Sequence, residues 1–148
     1  MKRADTKFAV SDATIAQLRR SAEDALRNAY APYSRFSVGA AILTASGHIF
    51  SGCNIENAAY PSGLCAEAVA IGQMVTTMGP QRILACYVSC KGRVPAWPCG
   101  NCRQRLNEFA DDDMWVYTSV DDGRPDALLF RDLLPHHFGA ADLEGIRL

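Results

Sequence analysis

Cys65-Ala66-Glu67 and, 34 positions beyond Cys65, Pro98-Cys99-Gly100-Asn101-Cys102 supply three thiols and one carboxylate. Thiolates bind zinc well, and three protein ligands leave a fourth tetrahedral position for water, the mark of a catalytic rather than a structural site. Cys99 and Cys102, three apart at a predicted helix start, point the same way. Cys65 opens a second predicted helix, so two helix N-termini can converge on one point. Backbone N–H groups and the positive dipole ends there favour deprotonated thiols. Cysteine is also a common small buried hydrophobe, but that reading leaves the Cys-x-x-Cys and its preceding proline unexplained. A closed structural zinc site needs a fourth ligand, and Cys53, Cys86 and Cys90 fall in predicted strands, where they read as buried thiols.

Glu67 is the only charge between Cys65 and Gln81. A carboxylate at the head of an apolar helix costs on the order of several kcal/mol unless it has a partner or a task. Beside a metal-activated water it can take a proton and pass it on. A charge complementing the helix dipole would explain an acid there, but not its place two residues after a ligand.

The elements that must hold these groups follow from patterning. Ser11-Asp12 can cap a helix with apolar positions Ile15, Leu18, Ala22, Leu26 and Ala29, running until Pro32 stops it. Phe36 to Ala45, then Ser46-Gly47 and His48-Ile49-Phe50, read as a hairpin of largely buried strands. The uncharged stretch Ala68 to Gly79, stopped by Gly79-Pro80, predicts a helix buried nearly all round. Arg82 to Cys90 is a predicted strand. From Cys99 a helix places Cys99, Cys102, Leu106 and Phe109 on one face, with Arg103, Arg105 and Glu108 elsewhere. Met114 to Val120 predicts a strand, Asp121-Asp122-Gly123 a turn, and Ala127 to Phe130 a short strand or helical approach to Leu133-Leu134-Pro135. The last ten residues are expected to be a surface tail. Alternating strands and helices predict an α/β fold of layered α/β/α form.

Length and charge bound the rest. The chain has 148 residues, 49% of them apolar, enough for one domain with a proper core, expected over 1–148 with its centre at about 10–140. A net charge of -1 and a pI near 6.3 argue against a nucleic-acid partner, whose phosphates are held by clustered Lys and Arg. The charged start Met1-Lys2-Arg3-Ala4-Asp5 has no apolar segment behind it, and no run approaches the roughly 18 apolar residues of a membrane span. The expectation is a cytoplasmic protein whose six cysteines serve as metal ligands or buried thiols.

Cys-Ala-Glu with Pro-Cys-Gly-x-Cys-Arg-Gln resembles the cytidine deaminase family of small homotetrameric nucleoside deaminases. The resemblance extends over roughly residues 10–140, through Tyr33-Ser34-Arg35-Phe36-Ser37-Val38-Gly39-Ala40-Ala41, Asn54-Ile55-Glu56-Asn57-Ala58-Ala59-Tyr60-Pro61 and Leu133-Leu134-Pro135-His136-His137-Phe138-Gly139. It implies a three-layer sandwich around a mixed five-stranded sheet and one zinc ion per subunit, held by Cys65, Cys99 and Cys102. In that family's chemistry the zinc would supply the hydroxide that attacks C4 of cytosine. Glu67 would protonate N3 and then the departing ammonia, giving uridine or deoxyuridine in pyrimidine salvage. Asn54 and Glu56 match positions that hold the sugar 3'-hydroxyl, although an ordinary polar loop would look the same. Phe36 matches the ring flanking the base and Phe138 the ring donated by a neighbouring subunit; either could be plain core. The Ala66 N–H and the Cys99 carbonyl would read the pyrimidine edge.

The chain departs from the family pattern in one respect: Ala68 stands where many members carry an arginine that offsets the charge of three thiolates on one divalent ion. Arg103 is expected to substitute in part. Arg-lacking relatives include blasticidin S deaminases, so that substrate or another aminopyrimidine nucleoside is the alternative. A non-catalytic zinc-stabilised module is the alternative of a different class. Editing of cytosine in RNA or DNA is disfavoured by the lack of a basic surface and by the short loops around the motifs.

Overall fold

The structure, a computed structural model, describes residues 10–119 and 123–144. Strands β1 (Val38–Thr44), β2 (Ile49–Cys53), β3 (Ile83–Cys90), β4 (Ala110–Ser119) and β5 (Asp126–Leu129) form one sheet in the order β2-β1-β3-β4-β5. Only β3 and β4 run parallel; β1–β2, β1–β3 and β4–β5 are antiparallel, so the sheet is mixed as expected. The helices are α1 (Asp12–Leu26), α2 (Ala66–Met78), α3 (Gly100–Asn107), α4 (Phe130–Leu133) and α5 (Ala140–Leu143). A 3-10 turn occupies Tyr60–Ser62.

Successive strand residues point to opposite faces, and this divides the core in two. Ala41, Ala85, Tyr87 and Tyr117 meet Leu18 and Ala22 of α1 on one face. Ile42, Cys86, Val88 and Val116 meet Ala70, Ile71 and Met74 of α2, Leu106 of α3, and Phe130 and Leu133 of α4 on the other. The three layers of the α/β/α expectation are therefore present.

Two glycines in the hairpin let helices lie directly on it. A Cβ at Gly39 would collide with the Ala22 carbonyl and come within 2.7 Å of the Leu26 N, and one at Gly52 within 2.7 Å of the Ala66 carbonyl oxygen. Gly39 pairs with Cys53 in the β1–β2 ladder, next to Gly52, so α1 and α2 grip the same end of the hairpin from opposite sides. Because β1 is antiparallel to β3, Val38 at the start of β1 faces Cys90 at the end of β3. The segments leading into β1, out of β2 and out of β3 thus emerge at one end of the sheet.

Several boundaries differ from the sequence expectations. Helix α1, capped by the Ser11 hydroxyl accepting from the Thr14 N–H at 3.2 Å, ends at Leu26 rather than running to Pro32. The chain instead extends at Tyr30, whose N–H donates to Asn54 O at 3.0 Å and whose carbonyl accepts from the Glu56 N–H at 2.8 Å. Helix α2 begins at Ala66, two residues early, and buries only one face: Val75 and Met78 are exposed, correcting the expectation of all-round burial. Strand β4 starts at Ala110, ahead of the expected Met114. Part of the expected tail is helical, as α5. Val120, Asp121, Asp122, the first nine residues and the last four lie outside the described residues. No helix among the described residues is long and apolar enough to cross a membrane.

Candidate active site

Two of the three motif cysteines sit at helix caps. Cys65 is the N-cap of α2 and Cys99 the N-cap of α3, each in extended backbone conformation, while Cys102 lies in the first turn of α3 and is buried. The three sulfurs lie within 4.8 Å of one another, with Cys65 Sγ and Cys99 Sγ 3.8 Å apart. Tetrahedral coordination at about 2.3 Å per Zn–S bond separates two ligand sulfurs by about 3.8 Å. The Cys65–Cys99 pair therefore matches zinc's ligand spacing, and Cys102 lies close enough to be the third ligand. Among the described residues, no fourth side chain joins this cluster, as an open rather than a closed site requires.

The thiols are unequal. The Cys65 pKa falls to about 6, chiefly through hydrogen bonding from Cys102 and secondarily from Cys99, against burial and the charge of Glu67. Cys102 is pushed up by the same contact with Cys65, then by burial and by Glu67. The Cys102 thiol also lies 3.4 Å from Glu67 Oε2, to which it donates. Glu67 is 4% exposed, and burial raises its pKa, with its own backbone N–H, Cys102 and the Arg105 charge pulling the other way. A carboxyl so placed holds a proton more readily than one in water, which suits a proton carrier.

A cavity of about 440 Å³ opens above this cluster, within the size range of small-molecule sites. Cys65, Ala66, Glu67 and Cys99 line it together with Phe36, Asn54 and Glu56, so seven residues expected at the site from sequence share one space. Ala66 is the first residue of α2, and first-turn amides of a helix have no intrahelical acceptor. The Cys99 carbonyl already accepts the Arg103 N–H at 2.9 Å.

The polar residues at the cavity mouth are tied to the backbone. Asn54 Oδ1 accepts from the Val38 N–H at 2.9 Å and its Nδ2 donates to Phe36 O at 2.8 Å, which fixes the entry to β1. Glu56 Oε2 accepts from the Tyr33 and Ser34 N–H groups at 2.9 and 3.2 Å, and Oε1 accepts the Ser34 hydroxyl. That hydroxyl is the main reason the Glu56 pKa is lowered. Of the other two expected residues, Cys102 lies behind the lining in the thiol cluster and Phe138 lies apart. Phe138 is 58% exposed, is not among the lining residues of this cavity, and has its carbonyl held by Gln104 at 2.8 Å and Asn107 at 3.2 Å.

Arg103 has different work from that expected. Its Nε donates to Pro98 O at 2.7 Å and its Nη1 to Leu133 O at 2.9 Å, joining the loop before Cys99 to the end of α4. Arg105 is the cation whose field favours the anionic forms of Cys65 and Glu67. Sequence reasoning also missed Trp97, Tyr60 and Ser34 as lining residues. Trp97 could have been found from its place immediately before Pro98-Cys99; Tyr60 carries no such signal.

The family model of the cytidine and deoxycytidylate deaminase zinc-binding region matches residues 13–118. A cytidine deaminase of Mycobacterium tuberculosis is 41% identical over 126 residues, 85% of this chain and 90% of the relative. One of Sporosarcina psychrophila is 39% identical over 129 residues, 87% and 94% of the two chains. Among solved structures, the cytidine deaminase of Burkholderia pseudomallei superposes with a TM-score of 0.78 at 37% identity, covering 83% of this chain and 98% of that one. The Mycobacterium tuberculosis enzyme gives 0.72 at 38% identity, covering 88% and 99%. With its fold, its thiol cluster and these likenesses, the chain belongs to the cytidine and deoxycytidylate deaminase family, a family of hydrolytic deaminases.

Proposed function

We propose that the protein hydrolyses cytidine and 2'-deoxycytidine to uridine and 2'-deoxyuridine, releasing ammonia, as a cytoplasmic enzyme of pyrimidine salvage. The observation that carries this reading is the trio Cys65, Cys99 and Cys102, the first two lining a ligand-sized cavity, with the buried Glu67 carboxylate 3.4 Å from the Cys102 sulfur.

Cys65, Cys99 and Cys102 would hold one zinc ion per subunit. When bound, zinc lowers the pKa of water far enough to provide a nucleophile at neutral pH. Glu67 takes the proton from the attacking water and gives it to N3 as the oxygen adds to C4. It then carries the second water-derived proton to the exocyclic nitrogen, which leaves as ammonia. Its burial excludes competing water and keeps its pKa raised, so that it can both accept and release protons. The free amide of Ala66 would donate to the pyrimidine edge, and Phe36 would flank the ring. Asn54 and Glu56 at the mouth would hold the sugar hydroxyls, an amide and a carboxylate together offering a donor and acceptors.

The cavity favours a nucleoside over a nucleotide. Its described lining includes the carboxylates Glu56 and Glu67 and no Lys or Arg, so a 5'-phosphate would meet like charge and no partner. Association into a homotetramer, with Phe138 reaching a neighbour's site, is supported by the exposed ring of Phe138 and by apolar surface. That surface comprises Tyr30, Ile55, Tyr60 and Leu64 near the cavity mouth and Val75 and Met78 on α2.

The test follows cytidine's ultraviolet absorbance change with wild-type protein and with Glu67→Gln, zinc content being measured in both. Turnover by the wild type and a loss of about 10²-fold or more in Glu67→Gln with zinc retained are expected; a zinc-loaded wild type that leaves cytidine untouched refutes the reading. Blasticidin S and other aminopyrimidine nucleosides are compared in the same assay. Mixing Phe138→Ala and Glu67→Gln chains should restore activity that neither has alone, since one site in the hybrid is whole. Absence of recovery removes the shared-site part.

A further inference from the structure

We propose that Trp97 sets specificity at the inner edge of the pyrimidine, excluding substituents on C5 and on the exocyclic nitrogen; this rests on the deaminase reading above. Trp97 lines the cavity with Glu67, Cys65 and Cys99, and is half-buried against the core cluster that includes Val88. Val88 and Ala96 line the same space.

The main chain is held on both sides of Trp97. The preceding Ala96 carbonyl accepts the hydroxyl of fully buried Thr118 at 3.0 Å, and the following Pro98 carbonyl accepts Arg103 Nε at 2.7 Å. With its neighbours fixed to β4 and α3 and its ring packed against the core cluster, Trp97 forms a wall of the cavity.

Ring geometry selects which part of the substrate meets that wall. The mouth residues Ser34, Glu56 and Tyr60 also line an adjoining cavity of about 370 Å³, so the sugar belongs there and the base points inward. C4 must face the thiol cluster and N3 must face Glu67 on α2. The C5 side of C4 is then turned from α2 toward the segment Ala96-Trp97-Pro98-Cys99, which supplies the opposite wall. A hydrogen at C5 and an unsubstituted amine fit against an indole; a methyl or halogen has to displace it.

The experiment measures kcat/KM for cytidine, 5-methylcytidine, 5-iodocytidine, N4-methylcytidine and 2'-deoxycytidine in wild type, Trp97→Ala and Trp97→Phe. Trp97→Ala should raise the ratio of the 5-iodo substrate to cytidine by about tenfold or more, the effect of a misfitted group in an apolar pocket. The ratio of deoxycytidine to cytidine should stay constant, since the sugar lies at the other end. Trp97→Phe should change the first ratio in the same direction by less, and it serves if the alanine variant fails to fold. Unchanged base-edge ratios in an active variant overturn the inference and leave the deaminase reading standing; a wild type inactive on every pyrimidine nucleoside overturns both. A readout without turnover uses Trp115→Phe, which leaves Trp97 as the sole indole; Trp115 packs with Tyr117 under α1, away from the cavity. Uridine should quench the remaining emission, and unchanged emission at saturation measured by dialysis overturns the inference.

Discussion

Gly52 lies against the first turn of α2, where a Cβ would stand 2.7 Å from the Ala66 carbonyl oxygen and 2.6 Å from the Ala70 N. The turn it touches carries Cys65, Ala66 and Glu67, so the depth of the site depends on the absence of one methyl group in β2. Gly52→Ala is expected to destabilise by about 1–3 kcal/mol, as overpacking does, and to lower zinc content. Gly72, in the same helix, has nothing within 4 Å of its Cβ position. Gly72→Ala should stabilise by about 0.5–1 kcal/mol through helix propensity. Urea unfolding with metal analysis of both variants checks the contrast.

Zinc removal should loosen the junction of α2 and α3, because Cys65 and Cys99 cap different helices and an ion held by both would tie them together. A strong chelator is expected to abolish turnover and lower Tm, and added zinc to restore both. Cys102→Ala should mimic the chelated state and no longer respond to zinc. Calorimetry with and without metal decides this; an unchanged Tm contradicts it.

Glu56 provides a titration that can be followed away from the thiols. The Ser34 hydroxyl, with the Tyr33 and Ser34 amides, stabilises its anion and lowers its pKa. Since the folded pKa lies below the unfolded one, the anion's contribution is present above the unfolded value and is lost as pH falls through the folded value. An NMR titration of the Glu56 carboxyl should give a midpoint below the ordinary Glu value of about 4.3. Ser34→Ala should move that midpoint up; a midpoint that stays put refutes the assignment.

Arg103 and Arg105 should separate by readout. Arg103→Ala removes donors from the carbonyls of Pro98 and Leu133 and is expected to cost roughly 1.5–3 kcal/mol of stability, the range for hydrogen bonds to charged groups. Arg105→Ala removes the positive field at Cys65 and Glu67 and should speed zinc loss to a colorimetric chelator with a smaller change in Tm. Equal effects of both on zinc release count against this division.

The chemistry was legible in the sequence because it is local. Cys-x-Glu and Cys-x-x-Cys each occupy less than one helical turn, so their spacing alone fixes how their side chains are presented. The hairpin and β3 were legible for a similar reason, with apolar runs ending at Ser46-Gly47 and Gly79-Pro80. What failed depended on tertiary partners. The end of α1 is set by Tyr30 pairing with Asn54 and Glu56, more than twenty residues away, and no propensity in Arg27-Asn28-Ala29 announces it. Arg103 and Arg105 look alike in sequence, and only the carbonyl of Leu133 shows why one is occupied. The apolar content of α2 indicated burial but not by what, and in a single chain Val75 and Met78 remain exposed.

Leu43 faces Ala85 and Thr44 faces Ile83 across the β1–β3 ladder, so Leu84 is a surplus residue in the pairing. For that reason Ile83 and Ala85, two apart, belong to opposite cores instead of sharing one. The bulge absorbs a one-residue frame change upstream of the cavity floor. Excising Leu84 would return the β1–β3 pairing to plain alternation, with Cys86 and Val88 still opposite Ile42 and Ala40.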